Sequence, residues 1–414
     1  MKKKLQIKSI IVASFVISLF SVNAQIIKEK EHVKGAKHSI IYYQKDQFAG
    51  WPANNGAFWF KNDEIVTGFI EGKFALKDGH NIDDNYKSWL ARSKDGGETW
   101  STYDPKDFVG DFGNQPTLLN LKKPIDFKSP KFLMRIVGTS YHGANDPRAH
   151  FFYSYKAGKT WEGPFGFGDI CRFPELKKYN LEELTPRTDY IIEGKHECTI
   201  FMSARLKGID FSDRLFCVKT NDGGKTFSFQ GWIVQPYDSC TGESTKVKLF
   251  KNEEKNPYAT QCRAVMSNSL KLPNGKYLSV VRRKFEVKGG SDRNWIDAYI
   301  SENKGKTWKL QSKVANTGLK NGNPPAMAMT EDGRICVVYG YRIDGTIEVV
   351  YSNDEAKTWT QPQIIMDGFW SEDMELNDLG YPRLLKRLDG KLVAIYYYST
   401  KEHPHHLRAT IWQP

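Results

Sequence analysis

The chain has 414 residues, 40% of them hydrophobic and 26% charged, with a formal net charge of +12. Beyond the first twenty-five residues no segment is apolar enough to span a bilayer, and no run of basic residues suited to gripping nucleic acid occurs, so the positive excess points instead to a polyanionic partner such as an acidic polysaccharide. Six cysteines, at 171, 198, 217, 240, 262 and 336, show no C-x-x-C or similar spacing, which argues against a structural zinc site and leaves disulfides and single buried thiols as equal readings.

In chain order, the first element reads as an export signal. Lys2, Lys3 and Lys4 precede an apolar stretch over 10–20, and Val22-Asn23-Ala24 offers small residues for cleavage. Residues 1–24 are therefore expected to be removed near Ala24, leaving a secreted or periplasmic protein. Four lysines go with that leader (Lys2, Lys3, Lys4 and Lys8), so the mature charge is +8. Residues 25–37 read as an N-terminal extension and 38–414 as one domain.

From residue 38 onward a repeat organises the chain. Five octapeptides share one form: SKDGGETW at 93–100, SYKAGKTW at 154–161, TNDGGKTF at 220–227, SENKGKTW at 301–308 and SNDEAKTW at 352–359. Each follows an apolar strand and supplies a polar turn, after which the Trp or Phe returns to pack on the sheet. Between them lie further hairpins with Asn274-Gly275, Asp332-Gly333 and Asp389-Gly390 turns. Counting inner hairpins at 57–69, 116–139, 188–204, 269–282, 325–339 and 383–398 gives six four-stranded units. The sequence thus predicts an all-β fold, a six-bladed β-propeller, with residues 38–43 supplying the outer strand of the last blade and closing the ring.

These octapeptides and the hairpin order resemble the sialidase (neuraminidase) superfamily of Asp-box propellers, over essentially the whole mature chain. The resemblance implies a sialidase-type propeller that hydrolyses glycosides without a metal or other cofactor. In that family three arginines hold a carboxylate, a tyrosine paired with a glutamate is the nucleophile, and an aspartate is the acid/base. Carried onto this chain, Trp51 in Trp51-Pro52-Ala53 stands where the first arginine belongs, and Arg282 matches a later one. Met266 stands in the place of the glutamate. Tyr381, in Gly380-Tyr381-Pro382, takes the nucleophile's position, and Asp83 and Asp84 in the segment 80–85 are the candidate acids. Losing one arginine from a carboxylate clamp removes charge-assisted hydrogen bonds of about 1.5–3 kcal/mol each, so simple sialosides are expected to be poor substrates.

Strand mouths elsewhere carry residues suited to sugars and carboxylates, among them Arg187, Arg205, Arg342 and Arg383. The polar loop around His142 reads either as a turn or as the site of a general acid/base. Tyr190 is expected to lie close to Arg205 at one end of their hairpin. A Tyr/Arg pair with a nearby His is similar to propeller-type polysaccharide lyases acting on uronates. His403, His405 and His406 cluster without the acidic or Cys partner a metal site needs. Three functions stay open: a glycoside hydrolase using Asp83 or Asp84 with Tyr381, a uronate lyase using His142 and Tyr190, and a glycan-binding propeller without catalysis. In each the partner is an oligo- or polysaccharide, and Arg282 and Tyr381 are expected in one pocket.

Overall fold

A computed structural model describes residues 29–77, 80–106, 116–138, 148–207, 213–236, 240, 262–285, 293–318, 322–372 and 377–414. Strand β1 (Lys37–Tyr42) is followed by the first sheet, made of β2 (Gln47–Gly50), β3 (Ala57–Phe60), β4 (Glu64–Phe74), β5 (Ile82–Ser93) and β6 (Ser101–Tyr103). A one-turn helix α1 (Pro52–Asn55) separates β2 from β3, and both pair with the long β4. The second sheet has three described strands, β7 (Leu133–Gly138), β8 (Ala149–Ser154) and β9 (Glu162–Gly166). The third is built from β10 (Leu181–Leu184), β11 (Tyr190–Ile192), β12 (Cys198–Leu206), β13 (Arg214–Thr220) and β14 (Ser228–Trp232). The fourth holds β15 (Cys262–Lys271), β16 (Tyr277–Phe285), β17 (Arg293–Ser301) and β18 (Lys309–Gly318). The fifth holds β19 (Ala326–Met329), β20 (Ile335–Tyr341), β21 (Thr346–Ser352) and β22 (Gln363–Met366). The sixth runs β23 (Gly380–Lys386), β24 (Leu392–Tyr398), β25 (His406–Trp412) and then β1.

The six antiparallel sheets are the blades of a β-propeller, as the sequence predicts. The expected closing segment 38–43 is β1, one residue earlier, with His38 opposite Thr410. The second hairpin differs from expectation. Residues 116–132 form no strand, and Leu119 instead makes an isolated parallel bridge to Phe165.

Packing explains why the middle strands are buried throughout rather than on alternate positions. Each is covered on both faces by neighbouring blades, so β12, β16 and β24 are buried at every position. The apolar side chains fall into a wedge at each of the six junctions, between blades one and two, two and three, and so on round to six and one. The covalent tie is local: Cys240 and Cys262 form a disulfide, while Cys171, Cys198, Cys217 and Cys336 are free thiols.

Four of the octapeptide turns are wired identically. In the first, the Ser93 hydroxyl accepts the Gly97 N–H at 2.7 Å, and Asp95 accepts the N–H (2.9 Å) and hydroxyl (2.5 Å) of Thr99. The same bonds recur around Asp222, Asn303 and Asp354, except that the Asn303 amide donates to the Thr307 hydroxyl. The second turn has Lys156 at the acid's position and keeps only the Ser154 bonds. Each following Trp is anchored by its indole N–H: Trp100, Trp161 and Trp308 donate to Gly97, Gly158 and Gly305, and Trp359 to Ser312.

Register fixes which end these turns occupy. Tyr277 pairs with Ser301, so the 301–308 turn sits at the end of blade four where Asn274-Gly275 lies, and Arg282, opposite Ile296, lies toward the other end. In blade six Lys386 pairs with Leu392 beside Asp389-Gly390, while Gly380 pairs with Tyr397 far from it. Arg282 and Tyr381 thus share the end away from the turns.

Candidate active site

Tyr381 enters the site on a distorted backbone. It has φ 48°, within a register break between Gly380 and Arg383 that swings its ring out of the regular pleat. Gly380 before it is required: at φ 104° a Cβ would lie 2.0 Å from the Asn323 side-chain oxygen, which accepts the Tyr381 N–H at 2.8 Å. Met266 sits on a second such break, with φ 56° between Val265 and Ser267, and Trp51 on a third left-handed residue, φ 57° at the start of α1. Three left-handed non-glycine residues around one mouth mark a site whose side chains are aimed at the expense of backbone comfort.

The Tyr381 ring is 6% exposed. Arg282 Nη1 donates to its hydroxyl at 3.2 Å and lies 3.5 Å from the Met266 sulfur. On the other side His80 Nε2 lies 3.4 Å from that hydroxyl. His80 Nδ1 is 3.0 Å from Asp378 Oδ1, whose second oxygen accepts the Asn81 N–H at 3.2 Å. The Asp378 carboxylate is fully buried and also accepts from Arg342 Nη2 (3.0 Å) and the Tyr397 hydroxyl. The Trp51 indole meets the His80 ring edge-on at 4.8 Å between centroids, walling the histidine in.

These charges set the protonation. Burial alone pushes the Tyr381 phenol up, but the Arg282, His80 and Arg342 charges and the Arg282 hydrogen bond outweigh it and bring the phenol down to about 7. Burial likewise opposes ionisation of Asp378, and His80 and Arg342 overcome it, holding the carboxyl at about 2. Burial disfavours the His80 imidazolium, while Asp378 and Tyr381 favour it and leave its pKa raised.

The other sequence-predicted residues divide. Arg342 is in the site through Asp378. Arg187 adjoins it: Nε donates to Asn54 at 2.8 Å, and burial lowers its pKa to about 10 while Tyr381 pulls the other way. Arg383 spans the channel instead, donating to the Ala53 and Thr188 carbonyls. Tyr190 and Arg205 are not brought together. Tyr190 pairs with Ile200, whereas Arg205 lies five positions further along β12, opposite Glu183, with its Nε 2.6 Å from that carboxylate. The Tyr190 hydroxyl accepts the Met134 N–H at 3.1 Å, and burial pushes its pKa up, which opposes its ionisation. Asp83 opens β5 with its side chain 44% exposed, 3.9 Å from Lys77. The Asp84 side chain and His142 lie outside the described residues. His405 stacks on Phe74 at 4.1 Å, and burial holds His405 at about 4 and His406 at about 3. Among the described residues no group of three or more His, Cys, Asp or Glu is arranged to hold a metal ion.

Two residues central to this geometry, His80 and Asp378, were not singled out by the sequence. His80 does lie in the segment expected to deliver the acid, and Asp378 stands three residues before Tyr381.

Neither a protein-family model nor a curated relative matches the chain. Solved structures do match. A Dyadobacter fermentans protein of unknown function aligns at 16% identity over 92% of this chain and 99% of its own, with a TM-score of 0.61. The Hadza microbial sialidase Hz136 aligns at 12% identity over 88% of this chain and 66% of its own, with a TM-score of 0.56. A Penicillium chrysogenum alpha-L-arabinanase complexed with arabinobiose aligns at 16% identity over 91% and 98%, with a TM-score of 0.54. The chain therefore shares the β-propeller fold of these structures. No helix among the described residues is long and apolar enough to cross a membrane.

Proposed function

We propose that the protein is a carbohydrate-active enzyme that hydrolyses a glycan carrying an anionic sugar at the channel mouth, with Tyr381 as nucleophile. The observation that carries this reading is a buried phenol brought to about 7 with a guanidinium 3.2 Å from its oxygen, since such a group is a phenolate for much of the time at neutral pH. Arg282, Arg342 and Arg187 all face Tyr381 or its neighbours, and guanidinium groups are suited to binding a substrate carboxylate. Attack forms a bond from Oη to the anomeric carbon as the glycosidic C–O bond breaks. The leaving oxygen takes its proton from the start of β5, where Asp83 and Asp84 lie, and water then releases the sugar.

The same phenolate could instead take the proton beside a uronate carboxylate, which is elimination. Incubating the purified protein with a panel of acidic and neutral glycans while following reducing ends and ultraviolet absorbance separates the two. Hydrolysis raises reducing ends on an acidic glycan with no new chromophore. With Trp51 in the first arginine's place, a simple aryl sialoside should be turned over at least about tenfold less efficiently, matching the loss of one charge-assisted bond. A growing chromophore would replace hydrolysis by elimination. Binding without turnover would leave a glycan-binding propeller.

A further inference from the structure

We propose that His80, oriented by Asp378, is the group that takes the Tyr381 proton, so that Asp378, His80 and Tyr381 work as one relay. The inference rests on the reading of Tyr381 as the reacting hydroxyl.

Geometry supplies the direction of transfer. Asp378 is ionised and lies 3.0 Å from His80 Nδ1, so when the imidazole is neutral with its proton on Nδ1 the lone pair is on Nε2, 3.4 Å from the Tyr381 oxygen. The Oη–H bond breaks with its electron pair left on oxygen, and an N–H bond forms at Nε2. Arg282 steadies the phenolate and Asp378 the imidazolium, so both products of the transfer are paired on the spot. The reverse transfer restores the phenol when the sugar leaves.

Among the described residues no other neighbour can play this part. Tyr381 is faced by Arg282 from β16, by Arg342 beyond β20, by Tyr397 from β24, by Arg187 from the segment before β11, and by His80. His80 is faced by Asp378, Tyr381, Arg342 and the Trp51 indole. The arginines cannot accept a proton, and Tyr397 already donates to Asp378. Met266, where the family resemblance puts a glutamate, offers only a thioether. His80 is 24% exposed, so the relay also has a way to exchange its proton with solvent.

Substrate-free titration tests the relay separately from the activity. Ultraviolet difference spectra should show one tyrosinate forming near neutral pH in the wild type and none in Tyr381→Phe. In His80→Gln its midpoint should rise by about one unit or more, because the imidazolium that favours the phenolate is gone. Coupling is reciprocal, so the His80 ring, followed by NMR, should titrate at a lower pH in Tyr381→Phe. The second measurement stands even if His80→Gln folds poorly. A midpoint that stays put in either variant overturns the relay. If both move while no glycan is turned over, the relay holds and the hydrolase reading fails.

Discussion

The two ends of this propeller are built on opposite principles. At the turn end, one polar circuit of Ser or Thr, Asp or Asn, and Thr is repeated in four blades, and every bond in it spans four residues or fewer. At the mouth end the bonds that define the site join positions 99 and 301 residues apart. Recurrence therefore marks scaffolding that four blades share, and the single departures mark the candidate site.

The contrast is broken most directly at Tyr381. Tyr381→Phe removes one oxygen, so turnover should fall by at least about a hundredfold, while stability changes by about 1 kcal/mol or less. Steady-state kinetics beside a denaturant melt measure both, and a fully active variant would move the chemistry elsewhere.

The opposite outcome is expected at the turn end. The Trp308 ring is half-buried against Phe201 and tied to the Gly305 carbonyl at 3.0 Å. Trp308→Ala should lose about 2–4 kcal/mol of stability, yet keep its activity per folded molecule. Loss of activity without loss of stability would erase the division between the ends.

Blade two offers the smallest effect and the finest control. Its turn has Lys156 where the others have an acid, although Thr160 stands ready in the partner position. Lys156→Asp should complete the circuit and stabilise the protein by about 0.5–1 kcal/mol. The gain should depend on pH as it does at Asp354, whose carboxyl the Thr358 hydroxyl and N–H hold down to about 2. A depressed carboxyl contributes above its unfolded pKa of about 4 and loses that contribution as pH falls through the folded value. Melting curves of the variant and wild type should thus converge in acid, and curves equally separated at every pH would rule out the carboxylate as the cause.

How much of this was legible follows from the same division. The octapeptides and Gly-containing turns gave the blades because their information is local. Arg282 and Tyr381 were placed together correctly, since each lies at the end of a hairpin whose register the turn sets. Tyr190 and Arg205 were not, because blade three splits its inner strand into β10 and β11, which pair with different stretches of β12. The first half of the 116–139 hairpin failed because residues 116–132 form turns and no strand, with Leu119 bridging Phe165 instead. His80 and Asp378 stayed hidden for another reason. They belong to different blades, and a buried contact across 298 residues leaves no trace in spacing. The resemblance steered attention to Asp83 and Asp84, three and four residues beyond the histidine that meets the tyrosine.

Ring closure has a consequence for how the protein is made. Lys37 pairs with Ile411, so β1 has no partner until β25 has been synthesised. Until then blade six lacks its outer edge, and the apolar wedge it shares with blade one, including Ile41, Phe69 and Ile395, has only one wall. A chain in that condition offers bare strand edges at both ends of an open arc, the geometry that invites a neighbouring chain to lend its own strand. The slow step in maturation should therefore be the docking of β1, and crowding of nascent chains should yield strand-exchanged dimers joined through that blade.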